Sequence, residues 1–120
     1  MTADSRLIAV VDDDAQLLTA LGRVLRACGF EAALYESAEE FLASPQARPL
    51  HCLVLDVKLG GMSGLELQQR LNAGGSPVPV VVMTAFDNAR VREQAYTLGC
   101  AVVLDKQADI EELLTLIRSF

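Results

Sequence analysis

Five short apolar runs punctuate the chain: Leu7–Val11 (LIAVV), Glu31–Tyr35 (EAALY), Cys52–Leu55 (CLVL), Val78–Met83 (VPVVVM) and Ala101–Leu104 (AVVL). Four of them are nearly continuous in Val, Ile and Leu, with no polar alternation, which is how strands covered on both faces of a sheet read. EAALY is the weakest and predicts a sheet margin. The segments between them carry helical spacing. Gln16–Ala27 lines up Leu17, Leu18, Leu21, Val24 and Leu25, and Gly29 follows as its stop. Ser37 with Glu40 three residues on forms a capping box that opens a short helix through Leu42. Ser63–Leu71, ended by Gly74-Gly75, Asp87–Leu98, closed by Gly99, and Ala108–Ile117 complete the set. The order is strand then helix, five times over: an α/β chain with a parallel sheet and helices on both faces. The loosest loops, 44–50 and 72–79, hold all four prolines and sit on returns from helix to strand.

Composition sharpens this picture. With 120 residues and a hydrophobic fraction of 52%, the chain is expected to form one domain, residues 1–120, with a large core. Sixteen acidic residues against ten basic ones leave a net charge of −6, which argues against direct binding to nucleic acid. Cys28, Cys52 and Cys100 are odd in number, lack CxxC spacing and lie in or beside apolar segments, so all three read as small buried hydrophobes in a reducing compartment. The N-terminus lacks a signal-peptide pattern and no apolar run approaches the ~20 residues of a membrane span, so a soluble, cytoplasmic protein is expected.

In an open parallel sheet, ligands bind beyond the carboxyl ends of the strands. The residues at those ends are Asp12, Asp13 and Asp14 after the first run, Asp56 after the third, Thr84-Ala85 after the fourth and Asp105-Lys106 after the fifth. Both lysines of the chain, Lys58 and Lys106, lie just beyond strand ends. Gathered on one rim, clustered carboxylates repel unless a cation neutralises them, and hard oxygen ligands suit Mg²⁺. An Asp beside such a metal can attack phosphorus to give an aspartyl phosphate, with Lys106 offsetting charge on the phosphoryl oxygens and Thr84 donating a hydrogen bond to one of them. Asp14 reads instead as a helix cap. His51, ahead of the third run, lies away from the rim.

These stretches (VVDDD at 10–14, LVLDVKLGGMSGLEL at 53–67, VVVMTA at 80–85 and the lysine ending the fifth strand) resemble the receiver domain of bacterial two-component response regulators. The GMSGLELQQRL wording is similar to receivers of helix-turn-helix transcription factors. The resemblance covers essentially the whole chain. It implies a flavodoxin-like, doubly wound sheet with strand order 2-1-3-4-5. It implies Asp56 as the phosphoacceptor, Asp13 as a direct metal ligand, Asp12 as its neighbour holding metal through water, and the Lys58 backbone carbonyl as a further ligand. Thr84 matches the switch hydroxyl and Lys106 the phosphate-facing lysine. The implied cofactor is Mg²⁺, with Mn²⁺ as a substitute, and the implied partner is a histidine kinase. A C-terminal DNA-binding output domain is expected outside this chain. A homodimer is expected through the helix 4, strand 5 and helix 5 face, where Arg90, Val103, Gln107 and Asp109 are the candidate contacts.

Three positions depart from the family pattern. Gln107 stands where proline usually follows the lysine. A cis bond before a non-proline residue costs about 3–4 kcal/mol, so a trans bond and a changed path for the loop carrying Lys106 are expected. Val103 stands where the family has an aromatic that turns inward, so a switch built on a swinging ring cannot operate in that form. Gly60 replaces a common proline and should loosen the loop after Asp56. These departures leave open a rival reading, a protein-interaction domain that works without phosphorylation. A haloacid-dehalogenase-like phosphatase would need a second Asp where Lys58 stands, and no GxGxxG or GxxxxGK[ST] stretch supports a nucleotide site.

Overall fold

The computed structural model describes residues 6–44, 49–75, 78–85, 89–108 and 110–120. Strands and helices alternate in the expected order. They are β1 (Leu7–Val11), α1 (Ala15–Ala27), β2 (Glu31–Tyr35), α2 (Ala38–Ala43), β3 (Cys52–Asp56), α3 (Gly64–Ala73), β4 (Val80–Thr84), α4 (Ala89–Thr97), β5 (Val102–Asp105) and α5 (Ile110–Ser119). All neighbouring strands run parallel, in the order β2-β1-β3-β4-β5. The weak run Glu31–Tyr35 is an edge strand, as its polar ends foreshadow.

Alternate residues of each strand enter opposite cores. Ile8, Val10, Val54, Val81, Met83 and Leu104 join Leu18, Leu21 and Leu25 of α1 and Leu113, Leu114 and Ile117 of α5 on one face. Ala9, Val11, Leu53, Leu55, Val82 and Val103 meet Phe41 of α2, Leu67 of α3 and Ala95 of α4 on the other. That double cover is why four of the strands read as unbroken apolar runs.

The helix signals are seated largely as expected. Asp14 caps α1 by accepting from the amides of Gln16 and Leu17, and Ser37 caps α2 by accepting from the Glu40 amide, whereas Ser63, expected as the first residue of its helix, stands before α3 and caps it by accepting from the Glu66 amide. Gly29 and Gly99, both at φ 91°, end α1 and α4 in the left-handed conformation that a side chain would strain. The bounds of several elements shift by one or two residues. β4 begins at Val80, because Val78-Pro79 still belongs to the approach, and α5 begins at Ile110, because the Ala108 amide closes a turn onto the Asp105 carbonyl. The predicted start of helix 4 at residues 87–88, and Asp109, lie outside the described residues.

One expectation is corrected. Cys52 and Cys100 are buried, but Cys28 is exposed. It caps α1, where its amide is spent on the Val24 and Leu25 carbonyls and its side chain faces outward.

Candidate functional site

The strand registers assemble the rim. Val11 lies opposite Leu55, Asp56 opposite Met83 and Thr84 opposite Asp105. The next residue along β1 and β5 therefore brings Asp12 beside Asp56 and Lys106 beside Thr84. The Lys106 amide donates to the Thr84 carbonyl at 2.8 Å, and the Asp12 amide to the Tyr35 carbonyl at 3.0 Å, so both strand ends are pinned.

Lys106 Nζ lies 2.9 Å from Asp12 Oδ2 and 3.0 Å from Asp56 Oδ2. One ammonium is thus shared by two buried carboxylates, and it does not turn to Asp105. Asp12 Oδ1 accepts from the Asp14 amide at 2.9 Å and Asp56 Oδ1 from the Lys58 amide at 3.4 Å. Burial pushes the Asp56 carboxyl above the ordinary carboxylate value and the charge of Asp12 adds to that, against the opposing pull of Lys106. Desolvation lowers the affinity of Lys106 for its proton, yet hydrogen bonds and charge from Asp12 and Asp56 outweigh it, and its value is raised.

Carboxylate oxygens of Asp12, Asp13 and Asp56 all fall within 4.8 Å of one another, with Asp13 exposed at the mouth. Three hard oxygen donors at that spacing, two of them buried beside a single ammonium, fit a small divalent cation. The Lys58 side chain is exposed, and Thr84 is buried at the end of β4.

The departures from the family pattern have visible consequences. No peptide bond among the described residues is cis, so the Lys106–Gln107 bond is trans. The Gln107 amide, which proline would lack, donates to Asp105 Oδ1 at 2.8 Å and closes the turn that presents Lys106. Lys106 therefore reaches the carboxylates without a proline after it. Val103 is buried under α4, so its side chain is withdrawn from the surface on which it was expected, whereas Arg90 and Gln107 are exposed. In the loop after β3, Glu39 of α2 accepts from the Met62 amide at 2.9 Å and bounds the freedom that Gly60 introduces.

Two positioning residues escape a reading of the sequence. Gly64 opens α3, and a Cβ there would fall 2.0 Å from the Asp56 carbonyl oxygen, so only glycine lets α3 pack against the end of β3. His51 Nε2 lies 2.9 Å from the Ile117 carbonyl and ties α5 to the start of β3, at the opposite end of the sheet from the acids. A lone glycine or histidine in sequence carries no sign of either contact.

The chain belongs to the response regulator receiver domain family, whose pattern it matches over residues 8–118. Among similar proteins is the transcriptional regulatory protein FixJ of Bradyrhizobium diazoefficiens, 33% identical over 93% of this chain and 55% of the relative. Another is the transcriptional regulatory protein TdiR of Thauera aromatica, 30% identical over 98% of this chain and 52% of the relative. The chain thus spans about half the length of these relatives. The response regulator StyR superposes with a TM-score of 0.87 at 34% identity, covering 96% of this chain and 58% of that one. A CheY-like receiver domain protein from Methanospirillum hungatei JF-1 shares the fold, with a TM-score of 0.89 at 22% identity over 97% of this chain and 93% of that one. The chain is a regulatory domain of the two-component type, related to transcriptional regulators.

Proposed function

We propose that this receiver accepts a phosphoryl group on Asp56 from a phosphohistidine of a histidine kinase, and that the modification controls a transcriptional output. The observation that supports this best is Lys106 Nζ shared at 2.9 and 3.0 Å between Asp12 and Asp56, with Asp13 completing a carboxylate group around them. An Asp56 oxygen forms the new bond to phosphorus as the bond from phosphorus to the donor's histidine nitrogen breaks, and the donor keeps that electron pair. Asp12, Asp13, Asp56 and the Lys58 carbonyl are the residues that would hold Mg²⁺, or Mn²⁺ in its place. The cation supplies counter-charge for the phosphoryl oxygens. Lys106 is placed to trade a carboxylate for a phosphoryl oxygen, and the Thr84 hydroxyl to donate to another.

The added charge of about −1.5 to −2 redistributes these contacts, and the α4, β5 and α5 face, with exposed Arg90 and Gln107, carries the change to a second copy or an output domain. Residues 1–120 act in this reading as one receiver unit in the cytoplasm, with a DNA-binding output domain belonging to the longer protein. Among the described residues no helix is long and apolar enough to cross a membrane.

Incubation with acetyl phosphate and Mg²⁺, followed by intact-mass measurement, tests the proposal. Wild type should gain the mass of a phosphoryl group and Asp56→Asn should not. An unmodified wild type would replace this reading with a phosphorylation-independent interaction domain.

A further inference from the structure

α4 is held in an unusual way. Ala95 is the only buried residue between Ala89 and Thr97, so apolar packing fixes α4 weakly. Polar side chains hold it instead. From α3, buried Gln68 donates through Nε2 to the Ala95 carbonyl at 3.4 Å, and Asn72 donates through Nδ2 to the Leu98 carbonyl. Gln68 Oε1 is left buried without a hydrogen-bond partner among the described residues, an unfavourable arrangement that the grip on α4 entails.

The other grip is on β5, the last strand of the sheet. The amide and carbonyl of Val103 turn to α4 side chains. The Val103 amide donates to Tyr96 Oη at 3.2 Å, and Arg92 Nη1 donates to the Val103 carbonyl at 3.4 Å. Tyr96 is 44% exposed, so this hydroxyl contact holds a side chain that the core does not enclose.

We infer that Tyr96 and Arg92 are positioning residues that key α4 to β5 in the unmodified chain, and that loading Asp56 opens the Tyr96–Val103 hydrogen bond. The inference rests on the phosphoacceptor reading and deepens it. Val103 lies three residues before Lys106, whose ammonium sits on Asp56 and whose amide sits on β4. A phosphoryl group that draws Lys106 shifts the end of β5, while the hydrogen bonds from Gln68 and Asn72 keep α4 on α3. The 3.2 Å contact is the one that yields. A chain with valine at 103 thus carries its reporting ring on the helix, where it grips the strand from outside.

Amide NMR of the full chain with Mg²⁺, titrated with beryllofluoride as phosphoryl mimic, tests this, using wild type, Tyr96→Phe and Arg92→Gln. In wild type, loading should speed solvent exchange of the Val103 amide by about tenfold or more. In Tyr96→Phe that amide should already exchange fast without the mimic. Because the variant has lost a bond that only the unloaded state makes, its affinity for beryllofluoride should rise about three- to tenfold. Arg92→Gln should move affinity the same way. A merely structural role would lower melting temperature and leave affinity unmoved. Exchange at Val103 unaltered by loading, or variants that load with wild-type affinity, overturns the keying while amides near Asp12 and Asp56 still report the mimic. Silence of those amides overturns the acceptor reading, and the keying with it.

Discussion

Asp12 and Asp56 compete for one ammonium, so each is less well neutralised than a one-to-one ion pair would allow. The raised Asp56 value means that the folded chain holds that proton more tightly than the unfolded chain. Its contribution to stability is therefore greatest below the ordinary carboxylate value and is lost as pH rises through the folded one. Asp56→Asn removes the penalty. At neutral pH it should stabilise the fold by about 1 kcal/mol, a gain that shrinks towards acid pH, as urea titrations at several pH values would show. The cysteines separate at the same scale. Burial pushes the Cys52 thiol up to about 12 and Cys100 above its ordinary value, while Cys28 is exposed. A thiol reagent at neutral pH should modify Cys28 promptly and the other two only after denaturant. Sequence placed all three beside apolar runs, and it took the turn after α1 to expose one of them.

Among the elements, α3 is the informative one. The sequence took Ser63 as the first residue of this helix, and the structure makes it the cap, accepting from the Glu66 amide at 3.1 Å. Ser63→Ala should cost about 1 kcal/mol in thermal or urea unfolding. Gly64 was not legible. A glycine at a helix start is unremarkable in sequence, yet a Cβ there would lie 2.0 Å from the Asp56 carbonyl. Gly64→Ala should therefore cost more, about 2–4 kcal/mol, because backbone must move to admit it. It should also weaken Mg²⁺-dependent stabilisation, since the displaced backbone carries Asp56. Ser63→Ala should leave that metal response intact, and the pair of variants separates capping from close packing.

At the scale of the whole molecule, the two faces of the sheet do different work. The face covered by α1 and α5 is packed by leucines and isoleucine, and the other ends in α4, a helix with one buried residue, Ala95. The acids lie on the rim that joins these faces, where a cation bound only by the folded chain stabilises it by mass action. Millimolar Mg²⁺ should raise the melting temperature of wild type, and at a hundredfold excess over its dissociation constant the gain would be about 2.7 kcal/mol. Asp13→Asn should abolish most of that shift, because it removes the exposed carboxylate of the group while leaving Lys106 on Asp12 and Asp56.

The order of elements, the edge position of β2, the caps and the strand-end carboxylates were all written in local patterns. Apolar period, turn residues and charges are properties of neighbouring positions, and they survive reading along a line. What the line does not hold is distance between remote backbones. The shared ammonium, the glycine against Asp56, the tie from His51 to α5 and the hold of Tyr96 on Val103 depend on strand register and helix seating. Those are decided only when the parallel sheet closes and residues tens of positions apart come within hydrogen-bonding reach.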